Sequence, residues 1–520
     1  MNEGAQIMSL PILRMQGICK SYGPGIIAAD DVSFSVDAGE IHALAGENGA
    51  GKTTLMKILF GMEKAQRGEI FINEKPVVMA DPNIAMAHGI GMVHQHFMLV
   101  DDLTVAENVS LGIEPKRHGL FDREAARELV RTLAERFDMP VDPDAFIRDL
   151  SVANKQKVEI LKVLARRADI IILDEPTAVL TPQETKRFFE QLTALRKAGR
   201  TIIVITHKLP EIKAICDRIT IMRKGRTVGT YDVASISEQE ISRLMIGSDP
   251  LPEPILESID PGPVLLSMHD VSCLSPSGKS ALRGITFEVR GGELLGVVGV
   301  EGNGQRELVD ILTGRKTAYA GSVQLAGDSL QGLSIARIRR HGLSFIPEDR
   351  MKDGVDLDGS LVDNATAAIR DDRQFNIGPF QSDRKLDAYA KRLAERYEVR
   401  HESLREPIRH LSGGNMQKVV CGREISACKT VLIADQPTRG VDVGSVRTIH
   451  DHIELLRQHG KAILLISSDL SEIRTLCRRA IVLHQGEIVA HIDDLAAYTE
   501  EELGLYMLGL KRQRTTEAGS

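Results

Sequence analysis

The second half of this chain repeats the first, and no other feature constrains its fold as strongly. "LAGENGAGKTTLMKILFG" from Leu44 aligns with "VVGVEGNGQRELVDILTG" from Val297, so that Gly46 falls on Gly299, an offset of 253. "LSVANKQKVEIL" from Leu150 aligns with "LSGGNMQKVVCG" from Leu411, "IIILDEPTAVLT" from Ile170 with "VLIADQPTRGVD" from Val431, and "IIVITHKLPEI" from Ile202 with "ILLISSDLSEI" from Ile463. These three share an offset of 261, so the second half carries a net insertion of eight residues between Glu348, which matches Gln95, and Leu411. A repeat of this length means two copies of one domain, and 520 residues exceed what a single hydrophobic core supports. Surface helices and loops are the parts that absorb an insertion.

Both copies read as strands alternating with helices, which predicts a mostly parallel sheet covered by helices on both faces. "DDVSFSVDAGEIHALAG" predicts an added antiparallel piece. In the variable region Ala126, Leu129, Val130, Leu133, Ala134 and Phe137 recur at helical spacing, and Leu386, Tyr389, Ala390, Leu393, Ala394 and Tyr397 repeat it. Each set predicts an amphipathic helix packed on its own core. The proline-rich and acidic "GSDPLPEPILESIDPGP" reads as a linker. The expected organisation is a first domain over 8–247, a linker over 248–263, a second domain over 264–510 and a solvated tail over 511–520.

"GENGAGKT", from Gly46 to Thr53, fulfils the phosphate-loop pattern G-x-x-x-x-G-K-[ST], after the strand "IHALA" and before the helix "TLMKIL". Glycines allow backbone N–H groups to close round phosphates, Lys52 can reach the outer two, and the Thr53 hydroxyl can hold Mg2+. "IIILDE" sets Asp174 and Glu175 at the end of a buried strand, where one carboxylate can hold a metal shell and the next can polarise an attacking water. The second half keeps the loop's rhythm but not its charge: Gln305 stands on the lysine position and Arg306 on the threonine position.

Composition excludes several other classes. Net charge is −7 with both signs mixed along the chain, which gives no reason to expect nucleic acid as a partner. Six cysteines without a C-x-x-C pair indicate neither a zinc site nor a disulfide framework, so a reducing compartment is expected. Apolar runs such as "AILLI" are far short of the ~18 residues that cross a bilayer. "MNEGAQIMSL" lacks the basic start of a secretory signal, so the expected location is cytosolic.

The P-loop, "LDEP", "ITHK" and "LSGGNMQK", in that order, resemble the nucleotide-binding subunits of ATP-binding-cassette (ABC) transporters over nearly the whole chain. The tandem arrangement, "PEDR" at 347–350 and "QPTRGVDVG" at 436–444 look like the fused ATPase subunits of bacterial importers for monosaccharides and nucleosides. The resemblance implies two tandem α/β P-loop ATPase domains, each with an α/β core, an antiparallel β subdomain and a helical subdomain. It implies ATP and Mg2+ as cofactors. For the first half it assigns Tyr22 to adenine stacking. Gly46, Glu47, Asn48, Gly49, Ala50, Gly51, Lys52, Thr53 and Thr54 fall to the phosphates, and Thr53, Gln95 and Asp174 to the metal. Glu175 is then the catalytic base, and His207 the contact to the γ-phosphate. Gln95 also couples the site to the membrane partner.

In this family two cassettes pair head to tail, each ATP lying between one P-loop and the other cassette's LSGGQ-like segment. Pairing the two halves within the chain gives one site from the first-half residues with Ser412, Gly413, Gly414, Asn415 and Asp442. Only Asn415, where glutamine is more usual, departs from expectation. The other site combines Gln305, Arg306, Glu348, Asp435, Gln436 and Ser468 with Ser151, Val152, Ala153 and Thr181, and nearly every key group has changed. Both defects, in "LSVAN" and in the second P-loop, thus fall on one interface, which implies one hydrolytic site. The implied partners are integral-membrane permease subunits, with an extracytoplasmic substrate-binding protein in the system, and the implied place is the cytoplasmic face of the cell membrane. "GVEGNGQREL" leans towards nucleosides. The alternative is a soluble tandem cassette acting on ribosomes or DNA. That class has a long charged linker with two intact sites, or zinc-binding cysteines, which this chain does not.

Overall fold

In the computed structural model the chain divides into two units, Met1–Leu251 and Pro252–Ser520. The structure describes residues 11–22, 26–47, 49–94, 97–177, 180–246, 260–275, 278–300, 302–370, 372–377, 380–441 and 443–513.

The first unit contains two large sheets and a two-stranded hairpin, Lys116–Arg117 with Leu120–Phe121. A four-stranded antiparallel sheet is ordered Ile26–Val36, Leu13–Tyr22, Arg67–Ile72, Lys75–Val77. A six-stranded sheet is ordered Arg226–Asp232, Arg218–Arg223, Ile41–Gly46, Thr201–Ile205, Ile170–Asp174, Ile90–Val93. Its strands are parallel except Arg226–Asp232, which pairs antiparallel at the edge. The runs "IIILD" and "TIIVI" are buried at every residue. Such continuous β-branched runs are what a sheet covered on both faces requires, because neither set of alternating side chains meets water. Helices Val105–Ser110, Arg123–Arg136 and Val152–Ala165 form the variable helical part. The helix expected from Ala126 to Phe137 is present, and Ala126, Val130 and Ala134 are its buried stripe.

The second unit repeats this topology strand for strand. Its antiparallel sheet runs Ser280–Arg290, Val264–Leu274, Ala320–Leu325, Asp328–Ser329. Its larger sheet runs Glu487–Ile492, Arg479–His484, Leu294–Val298, Ala462–Ile466, Val431–Asp435, Leu343–Ile346. The eight inserted residues fall in three places. N-cap Thr104 matches Ser360, an offset of 256, so three precede that helix, within a segment that forms a π-helical turn, Arg350–Gly354. N-cap Asp122 matches Ser382, an offset of 260, so four more lie before the helix Asp383–Arg396. The last precedes Ser412, which matches Ser151. Arg512 and Gln513, in the stretch read as solvated tail, are anchored: Arg512 pairs with Glu487, and Gln513 forms backbone and side-chain hydrogen bonds to the edge strand at Val489 and His491. Among the described residues no helix is long and apolar enough to cross a membrane.

Candidate nucleotide site

The P-loop of the first unit is held by close approaches that exclude side chains. A Cβ at Gly46 would stand 2.3 Å from the Met222 carbonyl oxygen, and one at Gly51 only 2.0 Å from that of Ala28. Gly51 also has φ +99° as N-cap of the helix Lys52–Leu59, a conformation that side chains resist. A short tight loop therefore carries the chain from the buried strand Ile41–Gly46 into this helix, whose free N–H groups face the loop. Gly49 has open space beside its Cα, and Ala50 is buried behind it.

Lys52 is buried and its Nζ donates to the carbonyl oxygens of Gly46 at 2.7 Å and Glu47 at 2.9 Å. Burial lowers its pKa, while Glu175, Asp174 and Glu47 work in the other direction. Its charge is thus folded back over the loop, in reach of a phosphate that would replace the carbonyls. Thr53, one residue on, hydrogen-bonds the Asp174 carboxylate. Burial, and then the neighbouring Glu175, raise the Asp174 pKa to about 6 against the pull of Lys52 and Thr53. An added cation here would relieve that strain by favouring the carboxylate.

Glu175 follows the strand in a left-handed turn, φ +47°, and its N–H donates to the Ile205 carbonyl at 2.9 Å. Its carboxylate contacts His207 Nδ1 at 3.1 Å. Burial alone would raise its pKa, but the His207 hydrogen bond and charge, followed by Lys52 and Lys208, hold it below the usual carboxylate value. The geometry therefore keeps Glu175 ionised, as a proton acceptor must be. Tyr22 closes the strand Leu13–Tyr22 with its ring 38% exposed and Lys20 Nζ 5.1 Å from the ring centroid. Thr54 is half-buried in the first turn of the P-loop helix. Asn48 and Gln95 lie outside the described residues, as does Asp442.

In the second unit the same frame carries different chemistry. Gly304 caps the helix Gln305–Leu312 with φ +109°, as Gly51 does for its helix. Gln305 Nε2 donates to the Val300 carbonyl at 3.0 Å, and its Oε1 is buried with no hydrogen-bond partner. A neutral amide thus stands where the first unit has an ammonium, its Nε2 on the carbonyl that matches that of Glu47. Arg306 is exposed. Gln436 occupies the turn of Glu175 with φ +50° and the same backbone bond, to Ile466 at 2.8 Å. Ser468 Oγ lies 3.4 Å from Gln436 Oε1, replacing the histidine contact. Asp435 is pushed up to about 7, first by burial and then by Glu348.

The signature-like segments differ as well. Ser412 caps the helix Gly413–Ala427, its Oγ accepting from the Asn415 N–H, and the Asn415 side-chain amide donates to the same Oγ at 2.9 Å. Asn415 Oδ1 accepts from the Arg400 N–H at 3.0 Å, so asparagine in the usual place of glutamine ties the Ser412 hydroxyl to the preceding loop. Gly414 has no close neighbour besides the 440–441 turn. Ser151 makes the matching cap in the first unit, but Val152 and Ala153 follow it.

The profile of the ABC transporter family matches residues 29–178 and 282–439, one cassette in each half. The chain belongs to the ABC transporter family. It is an ATP-binding ATPase coupled to transport, built of two cassettes. This ABC ATPase is 41% identical to the guanosine import ATP-binding protein NupO of Bacillus subtilis, over 98% of the chain and 99% of the relative. It is 39% identical to the nucleoside import ATP-binding protein NupA of Lactococcus lactis, over 96% and 98%. It is 41% identical to the glucose import ATP-binding protein TsgD13 of Haloferax volcanii, over 96% of each.

What sequence reasoning missed in this ABC ATPase is the environment of Arg350. "PEDR" is visible in the sequence, but it says nothing of where the guanidinium goes. The left-handed turn shared by Glu175 and Gln436 has no signature either, since neither residue favours it.

Proposed function

We propose that this chain is the ATP-hydrolysing subunit of an importer for nucleosides or simple sugars, with nucleosides preferred, and that it hydrolyses ATP at one composite site. Lys52 and the loop N–H groups of the first unit hold the phosphates, and Tyr22 stacks on the base. Ser412, Gly413, Gly414, Asn415 and Asp442 of the second unit complete that site. Thr53, Gln95 and Asp174 are the residues that would hold Mg2+, which supplies positive charge to the β- and γ-phosphates when bound. Glu175 accepts the proton of the attacking water, and His207 holds the carboxylate in place and reaches the γ-phosphate. The complementary site, from the second P-loop with Ser151, Val152, Ala153 and Thr181, does not hydrolyse.

One observation carries this reading: two turns of the same backbone geometry hold Glu175 against His207 in one unit and Gln436 against Ser468 in the other. A neutral amide cannot take the water's proton, and a positioned base is worth roughly 100- to 10,000-fold in rate. The printed names of NupO and NupA as import ATP-binding proteins support a separate membrane permease and a peripheral place on the cytoplasmic face. An extracytoplasmic binding protein delivers the substrate. The names of NupO and NupA support nucleosides, while that of TsgD13 keeps sugars in the class. The test is steady-state ATPase activity of the full chain. Glu175→Gln abolishes turnover, whereas Gln436→Ala leaves most of it. Equal loss from both overturns the one-site reading.

A further inference from the structure

Arg350 of the second unit has no part in the chemistry above, yet its guanidinium is wedged between two segments that do. Its Nη1 donates to the Arg439 carbonyl at 2.9 Å. A Cβ at Gly413 would stand 2.6 Å from its Nη2, and a Cβ at Gly440 would stand 3.1 Å from both terminal nitrogens. Gly440 is itself left-handed, φ +74°. The Arg350 Nε is shielded from solvent without a hydrogen-bond partner. Burial, and then the charge of Arg439, pull its pKa down. Arg439 in turn is paired with Glu348.

A cation in this position is unfavourable by itself. It sits against the N-terminal turn of the helix Gly413–Ala427, whose free N–H groups carry partial positive charge. The shielded, unpaired Nε adds a desolvation penalty. What the arrangement supplies is geometry: a planar, rigid fork fills the space left by two glycines and sets the distance between the 412–414 segment and the 439–441 turn.

The aligned sequence of the first half keeps none of these three residues: Phe97 stands on the position of Arg350, Val152 on that of Gly413 and Val179 on that of Gly440. Arg350 and its two glycines therefore occur together in the unit whose LSGGN segment is intact.

We propose that Arg350 is a positioning residue for ATP hydrolysis, locking the 412–414 segment to the 439–441 turn so that both meet the γ-phosphate as one surface. The proposal rests on the composite-site reading, in which these segments act on ATP held by Lys52. It gives Arg350 no role in holding nucleotide in the open state, since the residues that grip it belong to the first unit.

The experiment compares Arg350→Met, Arg350→Lys and Ser412→Arg in the full chain. Three quantities are read: kcat for ATP, the dissociation constant of a fluorescent ATP analogue, and the melting temperature. A misplacement of about 1 Å costs about 100-fold in rate. Arg350→Met is expected to lower kcat by about 10- to 100-fold, with the dissociation constant and melting temperature unmoved. Arg350→Lys, which restores charge but not the fork, recovers only part of the rate. A normal kcat in Arg350→Met beside an inactive Ser412→Arg overturns the proposal and leaves the composite site standing. An active Ser412→Arg overturns the composite site itself. A rate loss in Arg350→Met accompanied by equal losses of binding and melting temperature makes Arg350 a structural residue and also overturns the proposal.

Discussion

Asp435 stands on the position of Asp174, the carboxylate proposed above to hold Mg2+, in a pocket that has lost the lysine and the threonine, and its ionisation should weaken the second unit. It is 8% exposed, and its pKa is raised from 3.8 to about 7, first by burial and then by Glu348, with Arg439 and Arg315 opposing. The folded chain keeps this proton up to about pH 7, while the unfolded chain releases it near 3.8. Stability contributed by this group is therefore fully present below about pH 4, falls as pH rises through that window, and is gone above about pH 7. At about 1.4 kcal/mol per unit, a gap of roughly three units makes this carboxyl a liability of about 4 kcal/mol at pH 8 and less than half of that at pH 5. Asp435→Asn removes the titration. For a unit of this size 1 kcal/mol moves the midpoint by about 2–4 °C, so the substitution should raise the second unit's melting temperature by about 5–10 °C more at pH 8 than at pH 5. The chain has no tryptophan, so scanning calorimetry is the suitable assay, with the first unit's transition as internal reference. An equal shift at both pH values, or a larger one at pH 5, refutes the reasoning.

Lys52→Ala removes the ammonium that bridges Gly46 and Glu47, and should abolish nucleotide binding by the first unit; titration with a fluorescent ATP analogue then reads the second pocket alone, where the buried Gln305 Oε1 predicts weak or no binding. Gly51→Ala should abolish ATPase activity and lower the first unit's melting temperature, because its Cβ would meet the Ala28 carbonyl at 2.0 Å. Gly49→Ala, with φ +81° and open space, carries only the left-handed strain of about 1–2 kcal/mol and should leave a folded unit.

Much of this was legible because parallel sheets buried on both faces have an unmistakable sequence form, and "IIILD" and "TIIVI" have it. The P-loop was legible because its glycines answer to backbone approach, at Gly46 and Gly51 most directly. The distribution of the eight inserted residues was not, since an offset between motifs says how many residues were added and not which connections took them. Nor was the anchoring of Arg512 and Gln513, because the Glu487 carboxylate and the His491 backbone groups that receive their side chains lie more than twenty residues away in sequence. Arg350 stayed hidden for a related reason: its meaning lies in two glycines far along the chain, at 413 and 440.

The turns at Glu175 and Gln436 share φ near +50° and the same bond to the neighbouring strand, although only one bears a carboxylate. The strained conformation is therefore a property of the scaffold and not of the charge it presents. With Glu175 as the proposed base, a cassette of this design can surrender that base, or regain it, by exchanging one side chain on an unchanged turn. On the one-site proposal, the repeat leaves two copies of one backbone frame and lets a single side chain decide which copy consumes fuel.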